Sequence, residues 1–205
     1  MWIKICGMTS DAAVAAALAG KVDAIGFVFA PSVRRLDPAR AAQLAASARG
    51  RVSLIAVTLH PAQALIDQIV REFKPDALQS DLQDFDGLRL PDTLSRLPVM
   101  RADVSIARAL PPRMLYEGAR SGSGTAADWD RAAQLARSSQ LILAGGLNAQ
   151  NVAAAISAVL PYGVDVSSGV ESAPGHKSAD KIAEFLEAAR TAFHRIDHEL
   201  NPDSL

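Results

Sequence analysis

The sequence predicts an α/β fold, a single (β/α)8 TIM barrel over residues 1–205 with a polar tail from about His194, and three observations carry this. Short apolar runs without polar alternation recur along the chain, as expected of parallel strands buried on both faces. Capped amphipathic stretches separate them, at strand-to-strand spacings of roughly 20–30 residues, the pattern of repeated βα units. Eight such units can be counted, and the last two strands run into turns made of small residues. Closure is inferred from that count, because strand order leaves no mark on a sequence. A dinucleotide-type glycine fingerprint is missing after strand one, where Cys6-Gly7-Met8-Thr9 stands, which weighs against an open, cofactor-binding sheet.

Taken in order, Trp2–Cys6 is the first strand, stopped by Gly7. Ser10 caps an Ala-rich helix whose inner face is Val14, Ala17 and Leu18. Ala24–Phe29 is strand two, followed by the basic loop Pro31-Ser32-Val33-Arg34-Arg35. Asp37-Pro38 opens helix two as a cap followed by proline at the first helical position. Val52–Val57 is strand three, and Pro61 opens helix three with Leu65, Ile66, Ile69, Val70 and Phe73 inward. Ala77-Leu78-Gln79 is a short strand four. The helix expected after it, within Asp84–Leu94, is poorly written, since Gly87 and Pro91 interrupt it. Pro98–Arg101 is strand five, with a short helix or turn before Pro111-Pro112, and Met114–Glu117 is strand six. Ser121–Thr125 reads as a flexible loop, and Asp128 caps the next helix.

Leu141–Ala144 is strand seven, stopped by Gly145-Gly146. Asn148 can cap a helix with Val152, Ile156, Val159 and Leu160 on one face, and Pro161 ends it. Tyr162–Val166 is strand eight, and Ser167-Ser168-Gly169 follows directly. Two consecutive strands thus deliver turns rich in backbone N–H and poor in side chain to one sheet edge. A phosphate can approach such backbone, and in barrels of this class it commonly sits after strands seven and eight. A last helix starts near Lys177 with Ile182, Phe185, Leu186, Ala189 and Phe193 inward, and the tail from His194 is expected to fray.

Composition limits the function classes. Hydrophobic residues make up 49% of the chain, which is globular rather than disordered. The net charge is −1 without a basic run, so nothing favours nucleic acid or an anionic membrane as partner. The single cysteine allows no internal disulfide, and the N-terminus lacks the layout of a signal peptide. A cytoplasmic protein is the expectation.

Chemistry should come from residues at the C-terminal ends of the strands: Cys6, Arg35, Gln79, Glu117 and Asp165. Period two puts Lys4 on the face of Cys6, and Asp165 on the face of Ser167. A lone buried cysteine is usually a small hydrophobe, but Cys6 is the last strand residue before Gly7, at the rim. Glu117 is a general acid/base or half of a buried ion pair, and periodicity does not separate the two. Asp165 lies between Val164 and Val166, where a carboxylate needs a partner, with Lys4 a candidate. Arg35 suits a substrate carboxylate or is a solvated loop charge. His194 and His198 are four apart but have no third ligand nearby, and His60 and His176 read as surface loop residues, so no metal site is expected.

The combination of Lys4–Thr9 (KICGMT), Gly26–Phe29 (GFVF), the Arg35 loop, Gly122-Ser123-Gly124 with Asp128-Trp129, Ala144–Asn148 with Asn151-Val152, and Asp165–Glu171 (DVSSGVE) with Pro174-Gly175 resembles the phosphoribosylanthranilate isomerase family. Each block is weak alone; six in the right order from residue 4 to about 177 are specific. The resemblance implies an Amadori rearrangement in tryptophan biosynthesis: N-(5-phospho-β-D-ribosyl)anthranilate becomes 1-(2-carboxyphenylamino)-1-deoxy-D-ribulose 5-phosphate, without a cofactor. It implies Cys6 as general base at C2′ and Glu117 as general acid at the ring oxygen. Arg35 would hold the anthranilate carboxylate, and Asp165 and Gln79 would contact substrate. Gly145, Gly146, Ser167, Ser168 and Gly169 would bind its phosphate. The partners implied are a small phosphorylated substrate and, at most, a second copy of the chain, as monomer or homodimer, with no nucleic acid and no membrane. Three departures are visible. Glu117 stands where the family has Asp, Ser80-Asp81-Leu82 where it has an apolar residue, His and Gly, and Val33 where it has Ser. A histidine-pathway isomerase would be expected to carry aspartate at Cys6. A barrel that had lost catalysis would bind a product analogue without turnover.

Overall fold

A computed structural model of the chain describes residues 1–101, 109–118 and 128–200. Eight parallel strands follow one another around a closed barrel. They are β1 (Trp2–Cys6), β2 (Ala24–Val28), β3 (Ser53–Val57), β4 (Ala77–Asp81), β5 (Ser95–Arg101), β6 (Arg113–Glu117), β7 (Gln140–Leu143) and β8 (Gly163–Val166). β8 pairs back onto β1 with Lys4 opposite Asp165, so the barrel itself has no open edge. The expected (β/α)8 architecture is the observed one.

Outside the barrel lie α1 (Asp11–Ala19), α2 (Pro38–Leu44), α3 (Gln63–Glu72), α4 (Trp129–Ala136), α5 (Val152–Val159) and α6 (Ala179–Leu200). Their starts follow the caps: Ser10, Asp37 and Asp128 accept hydrogen bonds from the N–H groups of Ala13, Arg40 and Arg131. α3 begins two residues after Pro61. Asn148 caps the turn before α5, its side chain accepting from the N–H groups of Gln150 and Asn151. No α-helix forms between β4 and β5, where a 3-10 turn spans Leu82–Asp86; Gly87 and Pro91 prevent a longer run. β4 extends two residues past Gln79, carrying Asp81 to the strand end. The tail does not fray at His194. α6 continues to Leu200 because Phe193 and Ile196 extend its buried face. The short element expected before Pro111 falls largely, and the Ser121–Thr125 loop wholly, outside the described residues.

Strand periodicity divides the core in two. Outward residues such as Ile3, Ile5, Phe27, Leu54 and Tyr116 pack under the helices, with Phe27 and Phe29 both against Phe73. Inward residues Ala24, Ile55, Ala77, Leu97, Val99, Leu115, Ile142 and Ala144 fill the barrel. Each fully buried large aliphatic or aromatic side chain contributes about 1.5–3 kcal/mol. Above this apolar plug, toward the C-terminal ends of the strands, the inward positions turn polar. No helix among the described residues is long and apolar enough to cross a membrane.

Candidate active site

The polar layer opens into a cavity of about 560 Å³ at the C-terminal mouth of the barrel. That volume is in the ~300–1,000 Å³ range of small-molecule sites. Cys6 from β1, Gln79 and Asp81 from β4, Arg101 from β5, Glu117 from β6 and Asp165 from β8 line it, with the turns Ala144–Leu147 and Ser167-Ser168. All come from the inward-facing register of their strands or from the turn just beyond.

Cys6 sits among charges. Lys4 Nζ, fully buried, lies 3.0 Å from Asp165 Oδ1, the partner expected for that carboxylate. Room for the lysine comes from Gly26 on β2, where a Cβ would come 3.0 Å from Cys6 Sγ and 3.1 Å from Lys4 Cε. Burial pushes the Cys6 thiol up and outweighs the downward pull of Lys4 and Lys177, while Asp165 pushes it up further. Burial likewise pushes the Asp165 carboxyl up against the attraction of Lys4. Lys4 is raised, since Asp165 and Cys6 overcome its desolvation.

A second network holds the floor of the turn after β8. Lys177 Nζ donates to Ser167 O at 3.0 Å and to Glu171 Oε1 at 2.7 Å, and Ser167 Oγ donates to the Cys6 carbonyl at 3.1 Å. Arg34 clasps Glu171 with two 2.7 Å hydrogen bonds, from Nε and Nη2. Burial would push the Glu171 carboxyl up, but the hydrogen bonds from Arg34, Lys177 and the Gly175 N–H hold it at about 2. Burial pulls the Lys177 ammonium down.

The opposite wall carries Glu117. Arg101 Nη1 donates to Glu117 Oε1 at 2.7 Å, while its Nε and Nη2 donate to Asp81 Oδ2 and Oδ1 at 3.1 and 2.7 Å. His60 stands at the rim, its Nδ1 2.8 Å from Asp84 Oδ1 and its Nε2 3.7 Å from Asp81 Oδ2. The hydrogen bond with Asp84 raises the imidazole. Burial pushes the Asp84 carboxyl up, but the hydrogen bonds from Ser80 and His60 bring it down.

The two turns after β7 and β8 complete the site. Gly145 and Gly146 have φ of +91° and +67°, a conformation that favours glycine, and their N–H groups donate to nothing among the described residues. A family model described as N-(5'phosphoribosyl)anthranilate (PRA) isomerase matches residues 3–188. The chain belongs to the N-(5'-phosphoribosyl)anthranilate isomerase family.

Family relatives from Mesorhizobium japonicum and Chelativorans sp. are each 37% identical; the match covers 93% of this chain and 95% and 96% of theirs. Among solved structures, TrpF from Jonesia denitrificans is 33% identical with a TM-score of 0.78, covering 94% of this chain and 98% of its own. The phosphoribosyl anthranilate isomerase from Thermotoga maritima is 27% identical with a TM-score of 0.79, covering 93% and 99%. Another isomerase of this family, also 27% identical with a TM-score of 0.76 and covering 93% and 99%, was solved in complex with reduced 1-(o-carboxyphenylamino)-1-deoxyribulose 5-phosphate.

Within this family fold, the cavity brings together Cys6, Gln79, Glu117, Asp165, Gly145, Gly146, Ser167 and Ser168. Gln79 Oε1 is buried without a hydrogen-bond partner among the described residues. Arg35 is not in the cavity. It is exposed and lines a shallow groove with Leu65 and Gln68, and Arg34 takes the inward place. The tight turn at Ser32, which accepts the N–H of Arg34 on its Oγ and that of Arg35 on its carbonyl, sends the two neighbours in different directions. Gly169 does not line the cavity either; its missing Cβ is what lets the Leu147 carbonyl pack against it. His60, expected as a plain surface residue, lines the mouth. Sequence reasoning passed over Arg34 and Arg101; the inward periodicity of β5 could have signalled Arg101, while nothing local separates Arg34 from Arg35. Gly122-Ser123-Gly124 lies outside the described residues.

Proposed function

We propose that the chain catalyses the Amadori rearrangement of N-(5-phospho-β-D-ribosyl)anthranilate in tryptophan biosynthesis, with Cys6 as base and Glu117 as acid. The observation that carries this is one cavity presenting a thiol, a carboxyl and two N–H-rich turns from strands β1, β6, β7 and β8. Protonated Glu117 gives its proton to the ribose ring oxygen, the C1′–O bond breaks, and the nitrogen lone pair forms the Schiff base. The Cys6 thiolate then removes the C2′ proton, and the resulting enolamine tautomerises to the ketone. Protons move within one substrate, so the step calls for no external cofactor. Phosphate binds at Gly145, Gly146, Ser167 and Ser168, with Gly169 holding the turns together. Arg34, whose Nη1 has no hydrogen bond among the described residues, receives the anthranilate carboxylate in the role expected of Arg35. Gln79 and Asp165 contact the substrate. We infer a monomer or homodimer, a Thermotoga maritima relative being described as dimeric.

The reaction needs Cys6 ionised while Glu117 is protonated. Burial keeps the thiol above its ordinary 9.0, so only a minor fraction is active and Lys4 and Lys177 enlarge it. Turnover of freshly generated substrate, followed by loss of its fluorescence, tests the assignment. Cys6→Ala and Glu117→Gln should each lose at least ~100-fold in kcat, with Glu117→Asp partly active. Near-normal turnover by Cys6→Ala removes the thiol as base, and absence of wild-type turnover removes the activity.

A further inference from the structure

We propose that Asp81 is a positioning residue for the proton donor at Glu117, acting through Arg101. This rests on the reading of Glu117 as the acid. The three side chains come from neighbouring strands: β5 places Arg101 in register beside Glu117, and places Val99, two residues earlier on the same face, beside Asp81. The guanidinium is a rigid planar fork. Asp81 takes one whole edge of it, Nε and Nη2, and that grip fixes where the remaining nitrogen points. Nη1 then meets Glu117 Oε1. The side chains of Arg101, Asp81 and Glu117 are only 15%, 10% and 10% exposed, so water screens these interactions weakly.

The consequence is electrostatic as well as geometric. Among the described residues, Arg101 serves two carboxylates, with two of these hydrogen bonds to Asp81 and one to Glu117. A carboxylate that shares its cation and faces a second negative charge holds a proton more readily than one with a guanidinium to itself. The acid must hold its proton until the ring oxygen takes it, so the division favours turnover. The same logic links two departures from the family pattern, Glu117 and Asp81, into one unit joined by Arg101. Among the described residues, other titratable groups line the same cavity or contact this unit: His60 from the loop after β3, held by Asp84 of the 3-10 turn, Cys6 from β1, Asp165 from β8 and Arg34 from the loop after β2. His60 Nε2 lies 3.7 Å from Asp81 Oδ2, so its titration must be separated from that of Glu117.

The pH profile of kcat and kcat/KM in Asp81→Asn tests this. Removing the charge frees the fork for Glu117 and removes the neighbouring negative charge, and both changes favour the ionised acid. The acidic limb should move down by about one pH unit, kcat should fall about tenfold, and KM should stay within about twofold. Asp81→Glu, which keeps the carboxylate, should restore the limb toward wild type. Arg101→Lys should shift the limb the other way, upward, because an ammonium cannot hold both carboxylates in one fork; it serves as the readout should Asp81→Asn fail to fold. His60→Gln in the wild-type and Asp81→Asn backgrounds should leave the shift in place. A purely structural role would lower the active fraction without moving the limb, and that result, or wild-type kinetics in Asp81→Asn, overturns the proposal. Glu117→Gln run alongside separates the two readings. If it turns over normally, Glu117 is not the acid; if it is inactive while the Asp81→Asn limb stays put, only the positioning role fails.

Discussion

Gly169→Ala isolates the contact between the two turns that frame the proposed phosphate position. Gly169 lies in the 3-10 turn after β8 and packs against the turn after β7. A Cβ there would overlap the Leu147 carbonyl oxygen, lie 2.9 Å from the Leu147 carbonyl carbon and 3.0 Å from Asn148 Cβ. Carbon atoms in ordinary contact are ~3.5–4.0 Å apart, so one turn must move by roughly 1 Å. Neither obstacle is a flexible side-chain tip: Leu147 is 3% exposed, and the Asn148 side chain is held by the N–H groups of Gln150 and Asn151. Overpacking of this kind costs about 1–3 kcal/mol, which in a chain of this size lowers Tm by roughly 5 °C. The same displacement separates the donors of one turn from those of the other, and a misplacement of ~1 Å can cost ~100-fold in kcat/KM. The loss should fall first on KM, because the phosphate is remote from the reacting carbons. Steady-state kinetics beside a thermal melt reads both. Gly87→Ala is the control, since no atom lies within 4 Å of the new methyl and its φ is −107°. Wild-type kcat/KM and Tm in Gly169→Ala would show that the turns are not in rigid contact, and the reasoning would fail.

The two adjacent arginines should behave differently. Arg34→Ala removes a bidentate partner from buried Glu171 and the cavity-facing cation, so KM should rise at least ~10-fold and stability fall by about 2–3 kcal/mol. Arg35→Ala, at an exposed site, should stay within about 0.5 kcal/mol in urea unfolding; equal losses in both variants would reverse the assignment. Glu171 links folding to pH. Its carboxyl is held at about 2 in the folded chain against an ordinary 4.5, so it contributes about 3 kcal/mol above pH 4.5 that is lost as pH falls toward 2. Glu171→Gln should be destabilised at pH 7 and lose this part of the slope; a wild-type slope between pH 4.5 and 2 in the variant would assign it to other carboxyls. For Cys6, alkylation by iodoacetamide at pH 7, followed by mass spectrometry, should be slower than for a free thiol, and slower still in Lys4→Met, which removes the opposing cation. Faster alkylation in that variant would contradict the role of Lys4.

Local signals carried most of the fold. The unbroken apolar strands, the caps at Ser10, Asp37 and Asp128, and the breaks at Gly145 and Pro161 are governed by neighbours in the chain, and they lie where expected. Failures came where long-range packing competed with a local cue. His194 begins a polar-looking segment, yet Ile196 gains burial against the helical layer and α6 persists. Gln79 looked like the end of β4, but pairing with β5 carries the strand on through Asp81.

Cys6, Gln79, Glu117, Asp165 and the two turns could be placed at one barrel face from the sequence by itself, because strand period and strand end together decide which side chains reach the mouth. The pairing of Lys4 with Asp165 was legible for the same reason, as both sit on inward positions of strands that must meet if the barrel closes. Only the tertiary structure decided that Arg34 rather than Arg35 turns inward, that Glu171 gathers Arg34 and Lys177, and that Arg101 divides itself between Asp81 and Glu117. Those choices depend on distances between residues far apart in the chain, and a charge finds its partner through the closed barrel's geometry, which no local pattern encodes.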